Sequence, residues 1–257
     1  HKAKVSAARA VAYLNPIIRW AKKRDLVVGD FDLEKPNQAP PKQRVLDETE
    51  LAAILPLLQG SRGMCARFML LTGARISAAK RATWSQINWD AKTWIIPSDH
   101  LKDTRALRQR SQRPKKPMVV PLSRQAIELL KIIEARREQI PRLRSPEPRI
   151  PETGLIFTSV FGTELGNWSR WLKKIQELTG VSDWSAHALR RTSATLAGDL
   201  GAPPHVISVM LGHSNVGGQL VAGYNHSIYG SEHKDILQRV ADRLEEIEGS
   251  KPYLKIA

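Results

Sequence analysis

Cysteine is almost absent from this 257-residue chain: Cys65 stands alone. An intramolecular disulfide is therefore excluded. Its neighbours Met64, Phe68, Met69 and Leu70 mark it as a reduced core residue of a cytosolic protein. No grouping of Cys and His has the spacing of zinc ligands, so no metal is expected. Long apolar runs are missing too. None approaches the ~18–20 residues that a membrane-spanning helix needs, and the N-terminus has no secretory pattern. Internal repeats and low-complexity tracts are absent. Acidic charge is in short supply, with 25 Asp and Glu against 40 Lys and Arg, a net charge of +15. Such an excess points to a polyanionic partner, nucleic acid ahead of an anionic membrane, because each neutralised phosphate releases condensed counterions.

What remains is an ordinary globular mixture, 42% apolar and 25% charged, enough for one sizeable core or one core with an appendage. Residues 3–24 read as a helix with Val5, Ala8, Val11, Ala12, Ile18 and Trp20 apolar, kinked or divided at Pro16. Residues 1–30 form a helical piece that cannot make a core alone, and 31–44, rich in proline, read as an extended linker. A domain follows over 45–257. Its start, "DETELAAILPLL", offers Asp47 as an N-cap with Glu50 three positions on, a capping-box pattern. "GMCARFMLLTG" reads as a buried helix stopped by Gly73. "TWIIP" and "MVVPLS" read as the strands of a long hairpin. From Ser123 onward, helical periodicity dominates. The fold class expected is mainly α with a small antiparallel β-sheet (α+β).

The hairpin carries Lys102, Arg105, Arg108, Arg110, Arg113, Lys115 and Lys116 against the single acid Asp103. This run fits a solvated loop that keeps the chain soluble. It equally fits a hairpin laid in a DNA groove, holding phosphates. Charge alone does not choose between them.

Further on, the chemistry becomes more specific. Metal-free transesterification at a phosphodiester gathers negative charge on two non-bridging oxygens, which suits the planar, permanently charged fork of arginine. The attacking group must lose a proton and the departing oxygen gain one, which calls for titratable side chains. A nucleophile from the protein splits the reaction into two reversible steps. In "HALRR", His187 and Arg190 are three apart and share one helix face, while Arg191 points elsewhere, toward a phosphate or a salt bridge. In "LGH", Gly212 reads as a helix cap with His213 just beyond it. Tyr224 follows after the flexible "SNVGGQ". In "LLTGAR", a left-handed turn at Gly73 would aim Arg75 inward.

Taken together, "LLTGAR", "VVPLS", "HALRRTSAT", "VISVMLGH" and "GYNH" closely resemble the catalytic domain of the tyrosine recombinases, the phage integrase family, and most of all integrases of prophages and integrative islands. The resemblance covers roughly residues 44 to 240. It implies the tyrosine recombinase catalytic-domain fold, with the N-terminal helix and linker as the end of a core-binding domain. The chain then reads as a fragment lacking most of that domain and any arm-binding domain. It also implies roles. Tyr224 matches the nucleophile that forms a 3′-phosphotyrosyl link and frees a 5′ hydroxyl. Arg75 and Arg190 match the arginines on the non-bridging oxygens. His187 matches the acceptor of the tyrosine proton, and His213 the histidine that hydrogen-bonds the phosphate. Lys102 best matches the acid for the leaving 5′ oxygen, with Lys115 and Lys116 as contenders. The resemblance further implies double-stranded DNA as partner and a tetramer on DNA formed from free monomers. Accessory DNA-bending or directionality proteins, no cofactor, and a place on the nucleoid of a bacterial cytoplasm complete the expectation.

Two departures qualify the match. Many relatives carry an acidic residue where this chain has Ala78, and Tyr229 is a second tyrosine whose surroundings do not match the family. The apolar stripe Ile236, Leu237, Val240, Leu244 and Ile247 is either a docking element for another copy or part of the domain's own core. Two other functions also fit part of the pattern. A helix-turn-helix regulator, turning at Gly201, explains the charge but not Arg75 or Tyr224. A topoisomerase of related chemistry would act without a fixed pair of sites.

Overall fold

The computed structural model describes residues 2–27, 29, 33–36, 43–101, 117–139, 154–159, 161–212 and 230–249. The chain divides into two compact units, His1–Gln43 and Arg44–Ala257. In the first, helix α1 (Lys2–Lys22) runs unbroken through Pro16. Proline deletes one N–H from the ladder, and the turns on either side carry the helix on rather than dividing it. The amide side chain of Asn15 then pins Leu33 from both sides: its Nδ2 donates to the Leu33 carbonyl at 2.9 Å and its Oδ1 accepts from the Leu33 amide at 3.0 Å.

The second unit opens with the capping box. The Glu50 amide donates to Asp47 Oδ1 at 2.8 Å, and Glu50 Oε2 accepts from the Asp47 amide at 3.0 Å, starting α2 (Glu48–Ile54). Just before it, the buried Leu46 amide donates to Thr192 Oγ1 at 2.9 Å, tying the entry of the unit to a helix far along the chain. A 3-10 turn through Pro56 leads into α3 (Gly60–Thr72), whose Met64 to Leu71 are almost all buried. This is the central helix. Phe68 lies 5.1 Å from the Trp94 ring and 5.4 Å from the Phe157 ring, the aromatic heart of the core. Cys65 is fully buried there, and burial pushes its thiol pKa up.

A short helix α4 (Ile76–Ala79) precedes the sheet: β1 (Ile87–Asn88), β2 (Thr93–Ile96) and β3 (Met118–Pro121), antiparallel in the order β1-β2-β3. β2 and β3 pair in the register Trp94↔Val120 and Ile96↔Met118, the hairpin expected from the β-branched runs. Alternation then sorts the faces: Trp94, Ile96 and Val120 are buried while Ile95 and Val119 face out. Helices α5 (Arg124–Gln139), α6 (Trp168–Thr179), α7 (Ala186–Asp199), α8 (Pro204–Met210) and α9 (Gly230–Gly249) complete the described fold. α3 packs on α5, α7 and α9. The stripe Ile236, Leu237, Val240, Leu244 and Ile247 on α9 is buried in this core, which decides its role: it holds its own domain together. No helix among the described residues is long and apolar enough to cross a membrane.

Candidate active site

The site is built from two helix ends and the middle of a third helix. α3 stops at Gly73, which takes the left-handed conformation (φ 63°, ψ 13°). Thr72 steadies this stop, its hydroxyl donating to the Phe68 carbonyl at 2.6 Å. Two residues on, Arg75 is the N-cap of α4, with an extended backbone and a half-buried side chain. α8 ends at Met210 with Leu211 as its C-cap, and Gly212 beyond it also adopts positive φ (57°). Both turns expose a carbonyl that their helices cannot satisfy.

Arg190, in the middle of α7, reaches both. Its Nη1 donates to the Gly73 carbonyl at 2.7 Å and its Nη2 to the Leu211 carbonyl. The side chain is 5% exposed, so the two bonds fix a guanidinium that has little other freedom. Burial pushes its pKa down to about 10, and the charge of nearby Arg75 pushes the same way. Arg190 nonetheless remains protonated at neutral pH. Burial also lowers the pKa of Arg75. Among the described residues neither arginine has an ion pair, and Ala78, three positions after Arg75, is a buried small side chain. Two cations thus crowd one region with no described carboxylate to offset them. Such an arrangement favours an anion with several acceptor oxygens.

His187 is exposed on the first turn of α7, one turn before Arg190. Arg191 is half-buried and, one residue on, turns about 100° away around the helix. The turn expected at Gly201 is present between α7 and α8, with φ 84°. The remaining expected residues, Lys102, Arg105, Arg108, Arg110, Arg113, Lys115, Lys116, His213, Tyr224 and Tyr229, lie outside the described residues. Sequence reasoning had taken Gly73 and Gly212 only as turns. It missed that the carbonyls of Gly73 and Leu211 are the seat of Arg190. Two helices each ending in Leu or Thr followed by glycine were the available signal.

The same fold occurs in solved recombinases. The integrase of transposon Tn1549, solved with circular intermediate DNA, superposes with a TM-score of 0.57 at 16% identity, covering 89% of this chain and 77% of that one. The XerA recombinase gives a TM-score of 0.51 at 15% identity over 84% of this chain and 68% of its own. The architecture is therefore that of a tyrosine recombinase catalytic domain. Residues 44–230 match the phage integrase family, and the chain belongs to it. Among its relatives, the prophage integrase IntZ of Escherichia coli (strain K12) is 25% identical over 243 residues, 91% of this chain and 54% of that protein. The tyrosine recombinase XerD of Mycobacterium leprae is 27% identical over 232 residues, 82% of this chain and 67% of that protein. The chain thus spans about half the length of the prophage integrase, at 54%.

Proposed function

We propose that this chain is the catalytic part of a site-specific DNA recombinase, an integrase that cuts and reseals DNA to integrate or excise a mobile element. The observation that carries the reading is the seat of Arg190: a buried guanidinium held by two turn carbonyls, beside a second arginine that has no ion pair among the described residues. Arg75 and Arg190 hold the non-bridging oxygens of the scissile phosphate and stabilise the charge that grows on them. The Tyr224 hydroxyl attacks the phosphorus, the bond to the 5′ oxygen breaks, and a 3′-phosphotyrosyl ester forms. His187 takes the phenol proton, Lys102 supplies one to the leaving oxygen, and His213 hydrogen-bonds the phosphate. The freed 5′ hydroxyl of a partner strand reverses the step, so no cofactor or nucleotide is consumed. Arg105, Arg108, Arg110, Arg113, Lys115, Lys116 and Arg191 hold the flanking backbone, and residues 1–30 close a core-binding domain. Four copies act together on two DNA sites in the bacterial cytoplasm, aided by accessory bending or directionality proteins. Family membership does not favour a regulator or a topoisomerase.

The test uses a random-sequence library of nicked duplexes, in which cleavage releases a short strand and traps the adduct. Covalent adducts on one defined sequence, lost in Tyr224→Phe with DNA affinity retained, are the expected result. Adducts without sequence preference would instead make the chain a topoisomerase, and no adduct at all a regulator.

A further inference from the structure

Two methionines lie on the two turns that hold Arg190. A Cβ built on Gly73 would come within 2.6 Å of Met210 Cε, and one on Gly212 within 2.7 Å of Met118 Sδ. Met210 is wholly buried and belongs to α8, the helix that itself ends in the second turn. Its contact is internal to the core. Met118 is different. It opens β3, pairs across the sheet with Ile96, and is only half-buried. In sequence it follows directly on the basic run Lys102–Lys116 and Pro117. The start of β3 therefore lies against the turn whose Leu211 carbonyl orients the Arg190 guanidinium.

We infer that Met118 is a positioning residue that couples the β-sheet to the grip of Arg190. The inference rests on the reading of Arg190 as a phosphate ligand. One of the two anchors of that guanidinium is a carbonyl in a turn of only a few residues. A thioether pressed against the bare Cα of Gly212 leaves the turn no room to drift. Methionine suits the task because its unbranched, soft side chain fills an irregular gap without forcing the backbone. Shortening it opens space beside Gly212, frees the Leu211 carbonyl to shift, and lets the guanidinium turn with it. The β2–β3 ladder is made by backbone atoms and survives the change.

The experiment compares the wild-type chain, Met118→Ala and Met118→Leu on the duplex selected above. It measures single-turnover cleavage, DNA affinity and the urea midpoint. Cleavage is measured on an ordinary linkage and on a methylphosphonate, in which one non-bridging oxygen is replaced by a neutral methyl. Met118→Ala is expected to cleave the ordinary linkage about tenfold or more slowly, with affinity within about twofold of wild type. Met118→Leu, of similar volume, recovers most of the rate. On the methylphosphonate the Met118→Ala deficit shrinks, because there is less charge for Arg190 to stabilise. Should Met118→Ala fail to fold, Met118→Val carries the same comparison. A shortened variant that cleaves at the wild-type rate overturns the inference, and so does one equally slow on both linkages. Failure of the underlying reading looks different: the wild-type chain itself then forms no adduct.

Discussion

Arg190 rises from the middle of the fourteen-residue helix α7 and gives its guanidinium to two carbonyls from separate turns. Arg75 caps the four-residue helix α4, half-buried, and among the described residues makes neither a hydrogen bond through its side chain nor an ion pair. The first is an anchor fixed before any ligand arrives; the second is a cation with its donors uncommitted. A paired site of this kind separates two duties that one arginine could not perform together. On the proposed reading, Arg190 sets the geometry in advance and Arg75 supplies the electrostatic demand for an anion. A buried histidine completes the lesson. His233, at the start of α9, is 2% exposed, and its Nε2 has no partner among the described residues. Burial pulls its pKa down to about 4, so it is neutral where Arg190 is still charged. Burial discharges an imidazole and leaves a guanidinium ionised, because the imidazole starts close to neutrality and the guanidinium far above it.

The largest effect is expected from Arg190→Lys. An ammonium is a point charge that cannot span both carbonyls, so the single-turnover cleavage rate should fall about 100-fold or more. Arg75→Lys keeps the charge and has no seat to lose, and should fall only about tenfold on the same assay. Equal losses in the two variants would erase the distinction between anchor and uncommitted cation. His233 should show itself in stability. Its folded-state pKa is below its ordinary value, so the unfolded chain takes up the proton first as pH falls. Stability is then whole above about pH 6.5 and declines toward pH 4, by about 2 kcal/mol at pH 5. Urea midpoints near pH 7.5 and pH 5, for the wild-type chain and His233→Leu, isolate this part; identical pH dependence in both would exonerate the imidazole. The smallest effect is the binding of inorganic phosphate. At about ten times its Kd it should stabilise the chain by about 1.4 kcal/mol, read as a rise in Tm that Arg75→Gln removes. A rise that persists in Arg75→Gln would place the anion elsewhere.

Much of the scaffold was legible because its signals are local. Asp47 and Glu50 announce a capped helix, Gly73 its neighbour's end, and the β-branched runs around Trp94 and Val119 a hairpin. The two-residue strand β1 was not read, since Ile87–Asn88 is too short to show alternation. The α9 stripe was ambiguous because periodicity reveals an apolar face and not what covers it; only packing assigns Ile236 to Ile247 to the core. At the site, the order of Arg75, His187 and Arg190 was visible, yet the seat of Arg190 was not. Hydrogen bonds from residue 190 to residues 73 and 211, and the contact of Met118 with Gly212, join segments that meet only in the folded chain.

The bond between the Leu46 amide and Thr192 has a mechanical meaning. It moors the incoming chain to the very helix that bears Arg190, two residues further on. The start of the second unit is thereby held inside its own core and not at its skin. A single residue inserted between Leu46 and Asp47 forces a choice between the mooring and the capping box, so this one knot cannot be retied.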